Sequence, residues 1–325
     1  IPDLVCFMAT LTACSKNGTL AEGNVIYLCL LNTDFLSNIN VNAALVNMYG
    51  KCGSPDDAKR VFDTVLTRDV FLWNTMIAVY GQAEELKEAL HLFEIMQREN
   101  KVLADVVTFV TMLDACAGKV ALVEGKIVHT IVFSHGFEKD VIVCNAAINL
   151  YGKCGSLEDA QKMFDSMEQR NVITWTTVIA VYAQHGQGKV ALQLFSQMEK
   201  EGPTPDAVTF LGLLVACKHS GLVVEGCQFF YFMTQVYRLS PGVDHFACMI
   251  DLLGRTGRID AAEELFDKIP LQPTVEALTA LLACGHQFHM KREECTLDYQ
   301  MGFEMDTVFA EIKEHGDRKL LRCAG

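Results

Sequence analysis

Two cysteines lie in an identical stretch, YGKCGS, which stands at residues 49–54 and again at residues 151–156. A cysteine in this setting, Cys52 or Cys154, could serve as a nucleophile, as a metal ligand, or as part of a corner in the chain. A third, looser copy of the surrounding sequence has Thr256 at this place. A metal ligand or a nucleophile would not tolerate that exchange. We therefore interpret both cysteines as corner residues beside a helix end.

Other candidates for metal or nucleophilic chemistry are weak. The nearest cluster of metal-binding residue types is Cys284, His286, His289 and Cys295, whose irregular spacing matches no standard zinc pattern. The sequence has no CxxC pair, no Gly-rich phosphate loop and no nucleophile elbow. We expect no bound metal, no cofactor and no enzymatic activity.

The composition bounds the class of protein. Half of the 325 residues are apolar, yet no run approaches the roughly 20 consecutive apolar residues of a membrane helix, so we expect a soluble chain without a membrane partner. The net charge of −13 argues against a uniformly basic coat for nucleic acid, although a local basic stripe remains compatible with it. Many of the 13 cysteines lie in apolar runs such as LLVAC, which favours reduced, buried thiols. Because the sequence begins at Ile1 without a signal-like leader, we expect a fragment or a processed piece.

The sequence around YGKCGS repeats with it at a shift of 102 residues. VNMYGKCGSPDDAKRVFDTV matches INLYGKCGSLEDAQKMFDSM, LWNTMIAVYGQ matches TWTTVIAVYAQ, and ATLTACSKNGTLAEG matches TMLDACAGKVALVEG. LLVACKHSGLVVEG and LLGRTGRIDAAEELFDKI begin a third pass. The sequence therefore predicts three related units of unequal length, used nearly three times.

Each unit resolves into two amphipathic helices. Apolar residues at helical spacing mark the first and second helix of residues 70–105: Trp73, Met76, Ile77 and Tyr80, then Leu86, Ala89, Leu90, Phe93 and Met96. The copy at 172–206 keeps this pattern and ends in Gly202, Pro203 and Pro205, which predict a helix stop.

YGKCGS itself predicts the corner between two helices. Gly53 and Gly155 suit the left-handed conformation that ends a helix, and Ser54 and Ser156 suit the cap of the next one. The next helix is favoured by Pro55 at its first position and by acidic residues in its first turn, namely Asp56, Asp57, Glu158 and Asp159.

The repeat lengths and motifs, above all YGKCGSLEDAQKMFDSM and ITWTTVIAVYAQHG, resemble the plant pentatricopeptide repeat proteins, in particular the subgroup with alternating P-, L- and S-type repeats. On this resemblance we divide residues 1–274 into repeats: L 4–38, S 39–69, P 70–105, L 106–140, S 141–171, P 172–206, L 207–242 and S 243–274. The resemblance implies an all-α fold, a right-handed α-solenoid superhelix of helix-turn-helix repeats.

The resemblance also implies binding of single-stranded RNA, one base per repeat. In the family, the fifth residue of a repeat reads the base edge together with the last residue. Carried over, the pairs are Asn74 with Asp105, Asn145 with Asn171, and Thr176 with Asp206. They imply U, a pyrimidine and G, and hence a core 5′-U-n-Y-G-3′.

The hydrogen-bonding groups of Asn and Thr fit the bases that the resemblance assigns to these positions. An Asn amide offers a donor and an acceptor, which suits a pyrimidine edge, whereas a Thr hydroxyl is shorter and leaves room for a purine. Ala78 and Ala180, one turn along, keep that face of the helix open. Periodicity alone also fits a reading of Asn74 and Thr176 as solvated helix residues.

Other positions leave alternatives open. Ala43, Val110, Leu211 and Ala247 occupy the fifth place without base-reading groups. Phe71 and Ile173, at the second place, fit either a wedge between bases or a plain core role. Lys51, Lys153 and Arg255 recur at one site of the S-type repeats and fit either phosphate contact or a solvated charge at a helix end.

The C-terminal part is similar to segments of RNA-editing members of the family. Residues 275–301 resemble a degenerate form of the extension after the last repeat, and residues 302–325 resemble a truncated start of the DYW deaminase domain. Zinc-dependent deamination needs a His-x-Glu and Cys-x-x-Cys set, which the sequence lacks.

The resemblance therefore implies a recognition arm for cytidine-to-uridine editing or other transcript processing in a mitochondrion or chloroplast, although the sequence contains no targeting peptide. Its partners would be organellar RNA, editing-factor proteins and a deaminase supplied in trans. The alternative is a protein-binding helical scaffold without RNA specificity, which the acidic charge favours.

Overall fold

The computed structural model describes residues 3–99 and 102–267, and these contain helices and turns but no strand. The chain divides into two compact units, Ile1–Glu168 and Gln169–Gly325. The segments predicted at 275–301 and 302–325 lie outside the described residues, as does the cluster from Cys284 to Cys295. The assignment of repeat types and boundaries stays a prediction.

The first unit is a row of helix pairs. In chain order its helices are α1 (Leu4–Asn17), α2 (Leu20–Leu30), α3 (Ile39–Lys51), α4 (Pro55–Thr64), α5 (Val70–Gln82), α6 (Leu86–Glu99), α7 (Val106–Gly118), α8 (Leu122–Ser134), α9 (Val141–Lys153) and α10 (Leu157–Ser166). The odd-numbered helices pack side by side, each on the next, and each even-numbered helix packs against the helix before it. This stacking makes the unit an α-solenoid of helix-turn-helix repeats, as predicted.

In the second unit, the described residues up to 267 repeat the arrangement with three helix pairs. They are α11 (Val172–Gln184) with α12 (Gly188–Glu201), α13 (Ala207–Ser220) with α14 (Val223–Tyr231), and α15 (Val243–Arg255) with α16 (Ile259–Asp267). Helix α13 packs against both α11 and α15, and a π-helical turn at Phe232–Val236 continues α14. Helix α12 ends where Gly202 adopts a left-handed φ of 99°, which confirms the predicted stop.

The predicted apolar faces form the core. Trp73, Met76, Ile77 and Tyr80 are buried in the first unit. The Trp73 ring stands edge-on to Phe62 at a centroid distance of 5.0 Å, an arrangement that aromatic pairs prefer. This contact joins α5 to α4, and it is stabilised because large apolar side chains are removed from water.

The YGKCGS corners have the predicted backbone but a different serine contact. Gly53 and Gly155 have φ values of 74° and 71°, which are left-handed. Ser54 and Ser156 occupy the N-cap position, but their side chains do not accept a backbone N–H. The hydroxyls donate instead to Asp57 Oδ2 at 2.6 Å and Asp159 Oδ2 at 2.7 Å. The predicted N-cap positions are therefore confirmed, but each serine hydroxyl bonds to the first-turn carboxylate, a strong acceptor, and not to a backbone N–H.

The thiols in these corners are half-buried beside the preceding helix end, as the corner interpretation predicted. Burial raises the pKa of both the Cys52 and the Cys154 thiol, which disfavours the nucleophilic thiolate. Burial also raises the pKa of Cys116 and Cys217 to about 12. Cys6 and Cys29 are exposed, so the expectation of burial does not hold for every described cysteine. Within residues 3–99 and 102–267, no helix has the length and apolar character needed to cross a membrane.

Candidate nucleic-acid interface

The three predicted base-reading residues occupy the same place on three first helices. Asn74, Asn145 and Thr176 each lie five residues after the N-cap residue of their helix, on α5, α9 and α11 respectively. Each side chain is largely buried but keeps an exposed fraction of 7–9%. The reading as ordinary solvated helix residues therefore does not describe them.

Asn74 is held at both ends of its amide by the start of the next first helix. Its Nδ2 donates to Asp105 Oδ1 at 3.0 Å, and its Oδ1 accepts from the Thr108 hydroxyl at 2.7 Å. The structure thus brings together Asn74 and Asp105, which the sequence predicted as a pair. Because an amide has two N–H groups and two lone pairs, one donor and one acceptor of Asn74 remain for a ligand.

Asp105 holds this junction in place as the N-cap of α7. Its Oδ1 accepts the Thr108 backbone N–H at 2.8 Å, and the Thr108 hydroxyl accepts the Asp105 N–H at 3.1 Å, which completes a capping box. Burial raises the pKa of the Asp105 carboxyl, but the hydrogen bonds from Thr108 and Asn74 outweigh it, and the net pKa lies below the usual 3.8. The carboxylate is therefore charged at neutral pH.

Thr176 reaches the equivalent aspartate through an intermediate. Its hydroxyl lies 2.8 Å from the Thr209 hydroxyl, which donates to Asp206 Oδ1 at 2.8 Å. Asp206 caps α13 through the Thr209 backbone N–H at 2.8 Å. The predicted pair is thus linked, but through Thr209.

The third predicted base-reading pair is Asn145 on α9 with Asn171. Asn171 is the N-cap of α11 and accepts the Thr174 backbone N–H at 2.9 Å. Asn145 Oδ1 is buried and meets no hydrogen-bond donor among the described residues. A buried carbonyl without a partner costs free energy, so the Asn145 side chain is held at an energetic cost in this arrangement.

A groove with a volume of about 720 Å³ runs along the first helices of the first unit. Asn74 and Ala78 line it, together with other amide, small and apolar residues: Leu4, Met8, Asn38, Asn40, Val41, Ala43, Ala44, Asn47, Phe71, Thr75, Val79, Gln82, Val107 and Thr111. None of these lining residues carries a charge. Such a surface offers hydrogen bonds and apolar contact, which suits base edges and faces better than phosphates. That Asn145 and Thr176 belong to a continuing groove stays a prediction.

The second residues of the first helices project into solvent. Phe71 and Ile173 have exposed fractions of 60% and 62%, which excludes the plain core role. Other helices share the feature, since Val5, Val107, Ile142 and Val208 are 55–73% exposed. An exposed apolar side chain thus recurs at the second position of six first helices, beside the fifth residue, where it could contact a base face.

The other residues singled out in the sequence are the apolar residues at the fifth place and the recurring cations of the S-type repeats. Ala43 is buried at the fifth place of α3, and Val110, Leu211 and Ala247 are half-buried. Lys51 and Lys153 are exposed in the last turns of α3 and α9, where a cation is favourable, and Arg255 donates to Asp251 at 2.7 Å.

Thr108 and Thr209 are the residues that sequence reasoning missed. Both are fully buried at the third position of their helices. The available signal was the recurring Asp-x-x-Thr in DVVT and DAVT, since an acceptor at the N-cap and a hydroxyl three residues on can bond reciprocally.

Comparison with known proteins identifies the repeats. A family model described as the PPR repeat family matches residues 68–118 and 170–219, and one described as the PPR repeat matches 44–70, 142–172 and 245–271. The chain belongs to the pentatricopeptide repeat family.

Relatives and a solved structure of this family extend the comparison. The chain is 38% identical over 264 residues to pentatricopeptide repeat-containing protein CRR2, chloroplastic, from Arabidopsis thaliana, covering 81% of this chain and 40% of the relative. A mitochondrial pentatricopeptide repeat-containing protein from Arabidopsis thaliana is 35% identical over 290 residues, which cover 89% of this chain and 45% of the relative. This pentatricopeptide repeat chain thus spans less than half the length of these two relatives.

The fold is shared with pentatricopeptide repeat protein PPR10 in complex with an 18-nt psaJ RNA element. The TM-score is 0.67 at 20% identity, over 82% of this chain and 39% of PPR10. At this identity the likeness establishes the solenoid fold.

Proposed function

We propose that the chain binds single-stranded RNA by sequence in a plant organelle, as the recognition arm for cytidine-to-uridine editing or other transcript processing. The observation that carries the proposal is a link between the fifth residue and the last residue of a repeat, which occurs twice with a different side chain at the fifth place. Asn74 contacts Asp105 in one repeat, and Thr176 contacts Asp206 through Thr209 in the other. Relatives named chloroplastic and mitochondrial support the organellar location. The editing role rests on the resemblance of the C-terminal segments.

Each reading group suits the base assigned to it. Asn74 keeps one N–H and one lone pair, which match a carbonyl and the N3–H on the uracil edge. Thr176 has a shorter side chain and leaves room for guanine. Asn145 with Asn171 would select a pyrimidine, and the expected core is 5′-U-n-Y-G-3′. The exposed Phe71 and Ile173 would pack on base faces, since aromatic and aliphatic side chains stack on bases without sequence preference.

Phosphate contacts play a minor part in this proposal, because the groove lining is neutral and the net charge is −13. Lys51 and Lys153 are the candidates for such contacts. If each contacts one phosphate, replacing it by Gln lowers the slope of log K against log salt by about 0.7 for single-stranded RNA. An unchanged slope would assign both lysines to the helix ends alone.

Catalysis of deamination is outside the proposed role of the described residues. It would require a separate deaminase domain, for which a deaminase supplied in trans is the proposed partner, and editing-factor proteins would be further partners. A protein-binding scaffold is the second candidate. It is favoured by the acidic charge and by exposed apolar residues on α8, where Val123 and Ile127 are 70% and 56% exposed.

The proposal is tested by selection from an RNA pool. The purified chain is incubated with single-stranded RNA that has four randomised positions, over a salt series from low to physiological ionic strength. We expect enrichment of 5′-U-n-Y-G-3′, with unrestricted sequence at the second position. Failure to retain RNA at low salt, combined with tight capture of a protein, would favour the scaffold. RNA binding without sequence enrichment would contradict the base-reading part of the proposal.

A further inference from the structure

We propose that Thr209 is a positioning residue, which fixes Thr176 as a hydrogen-bond acceptor toward the RNA base, and that Thr108 fixes the amide of Asn74 in the same way. Neither threonine is a predicted base-reading residue; each begins the repeat that follows. The inference rests on the proposed function, since it concerns how the reading groups discriminate between bases.

The polarity at Thr176 follows from counting protons. The Thr209 hydroxyl lies 2.8 Å from Asp206 Oδ1 and 2.8 Å from Thr176 Oγ1, and it also receives the Asp206 backbone N–H at 3.3 Å. The Thr209 hydroxyl donates its single proton to Asp206 Oδ1, whose oxygen offers no proton in return. Thr209 Oγ1 must then accept from Thr176. With its proton committed, Thr176 presents lone pairs alone to a ligand.

This polarity separates the two purines. On the Watson–Crick edge, guanine carries donors at N1 and N2 and adenine a donor at N6, so the two purines differ in sign at N1, which is a donor in guanine and an acceptor in adenine. A hydroxyl restricted to accepting can bond the guanine donor and meets the adenine acceptor without a proton between them. A hydroxyl free to rotate could serve either purine, since it both donates and accepts. Thr209 therefore supplies discrimination that Thr176 alone lacks.

At the Asn74 site the corresponding threonine, Thr108, donates a hydrogen bond to the fifth residue instead of accepting one from it. Asn74 Nδ2 faces Asp105 Oδ1 at 3.0 Å, so a flip of the amide would place oxygen against the carboxylate. Thr108 lies 2.7 Å from Asn74 Oδ1 and 2.9 Å from Asp105 Oδ1, which already accepts two N–H groups. Both partners are acceptors, so the Thr108 hydroxyl donates to Asn74 Oδ1 at the shorter distance and is shared with Asp105 Oδ1. The amide orientation is fixed from both sides, which separates uracil from cytosine because their N3 positions differ in polarity.

Both threonines are shielded from direct contact with a ligand. Thr108 and Thr209 have no exposed surface. They therefore act through the fifth residue.

The test compares base preference in variants of the 325-residue chain. Wild type and Thr209→Val are titrated with RNAs that carry G or A at the Thr176 site, and the ratio of the two dissociation constants is measured. We expect a ratio of at least about fivefold in wild type, in line with one base-edge contact. The ratio should fall toward one in Thr209→Val and be restored in Thr209→Ser, which keeps the hydroxyl.

Thr174→Val is the matched control. Thr174 forms the same capping box with Asn171 and has no exposed surface. Loss of the Thr174 hydroxyl should lower stability as Thr209→Val does, without changing the ratio of the dissociation constants for the G and A RNAs. A merely structural role for Thr209 predicts equal ratios in the two variants, and that result would overturn the inference.

The Asn74 site provides an independent test if one of the variants at the Thr176 site misfolds. Thr108→Val in the first unit should lower the preference for U over C at the Asn74 site, again with rescue by Ser. Melting curves verify folding of each protein. If wild type discriminates at both sites and neither valine variant changes its ratio, the positioning role is wrong. If wild type itself shows no preference, base reading fails, and this inference fails with it.

Discussion

Val120 adopts a left-handed backbone conformation, with φ 55°, that is unfavourable for a β-branched residue. The equivalent corners of the other two passes have Gly18 and Gly221, with φ values of 67° and 66°. The corner hydrogen bond is the same in all three, since the residue after the corner donates to the carbonyl of Cys14, Cys116 or Cys217 at 2.9–3.2 Å. Val120→Gly should therefore relieve strain without altering the corner.

The magnitude follows from two opposing terms. A non-glycine residue in this region costs roughly 1–2 kcal/mol, whereas the greater freedom of glycine in the unfolded chain costs about 0.4–1 kcal/mol. The Val120 side chain is 58% exposed, so its loss removes little apolar burial. We expect Val120→Gly to raise the free energy of unfolding by about 0.5–1 kcal/mol, equivalent to roughly 1–4 °C in Tm.

Urea unfolding followed by far-UV circular dichroism measures this change as a shift of the midpoint at constant slope. Gly18→Val is the matched control, because a Cβ at Gly18 meets no atom within 4 Å and only the backbone term changes. It should destabilise the chain by a similar amount. The reasoning is refuted if Val120→Gly lowers stability, or if Gly18→Val leaves the midpoint unchanged.

Two further predictions concern packing and pH. An added Cβ at Gly125 would lie 2.5 Å from a methyl of the buried Leu150, so Gly125→Ala should destabilise the chain by about 1 kcal/mol in the same urea assay, whereas Gly118→Ala, where nothing lies within 4 Å, should not. Burial lowers the pKa of His129 below 6.5, against a smaller opposing effect of Asp159, so the unfolded chain takes up this proton more readily than the folded one. Stability should therefore be fully present above pH 6.5 and fall as the pH drops through 6.5 toward the folded pKa, and His129→Gln should remove this part of the pH dependence; identical pH profiles for the two proteins would contradict the assignment.

The helices and their corners could be predicted because each depends on the residues next to it. Gly53 and Gly155 end helices through their own backbone freedom, and Pro55 begins one because its fixed φ suits the first turn. The side-chain contacts of the two N-cap serines could not be predicted in this way. Whether Ser54 accepts from the backbone or donates to a carboxylate depends on side-chain rotamers three residues apart.

The candidate site could be predicted in part. The resemblance supplied the pairing of Asn74 with Asp105, which lie in contact. Thr108 escaped notice because its bond to Asn74 joins residues 34 positions apart and exists only once α7 packs on α5. The exposure of Phe71 is likewise a consequence of packing, since helical periodicity alone fits a buried or a projecting side chain.

The central claim is that the fifth residue of a repeat reads a base, and a reciprocal exchange tests it most directly. Thr176→Asn, next to the unchanged Asp206, and Asn74→Thr, next to the unchanged Asp105, are each compared with wild type on RNAs with U or G at the two sites. Thr176→Asn should move its site from G toward U, and Asn74→Thr should move its site from U toward G. Each preference ratio should change roughly five- to a hundredfold, from about 1–3 kcal/mol per base-edge contact. The other site and the salt dependence should stay the same, because no phosphate contact is altered. Preference ratios that remain at their wild-type values in both variants would contradict the account.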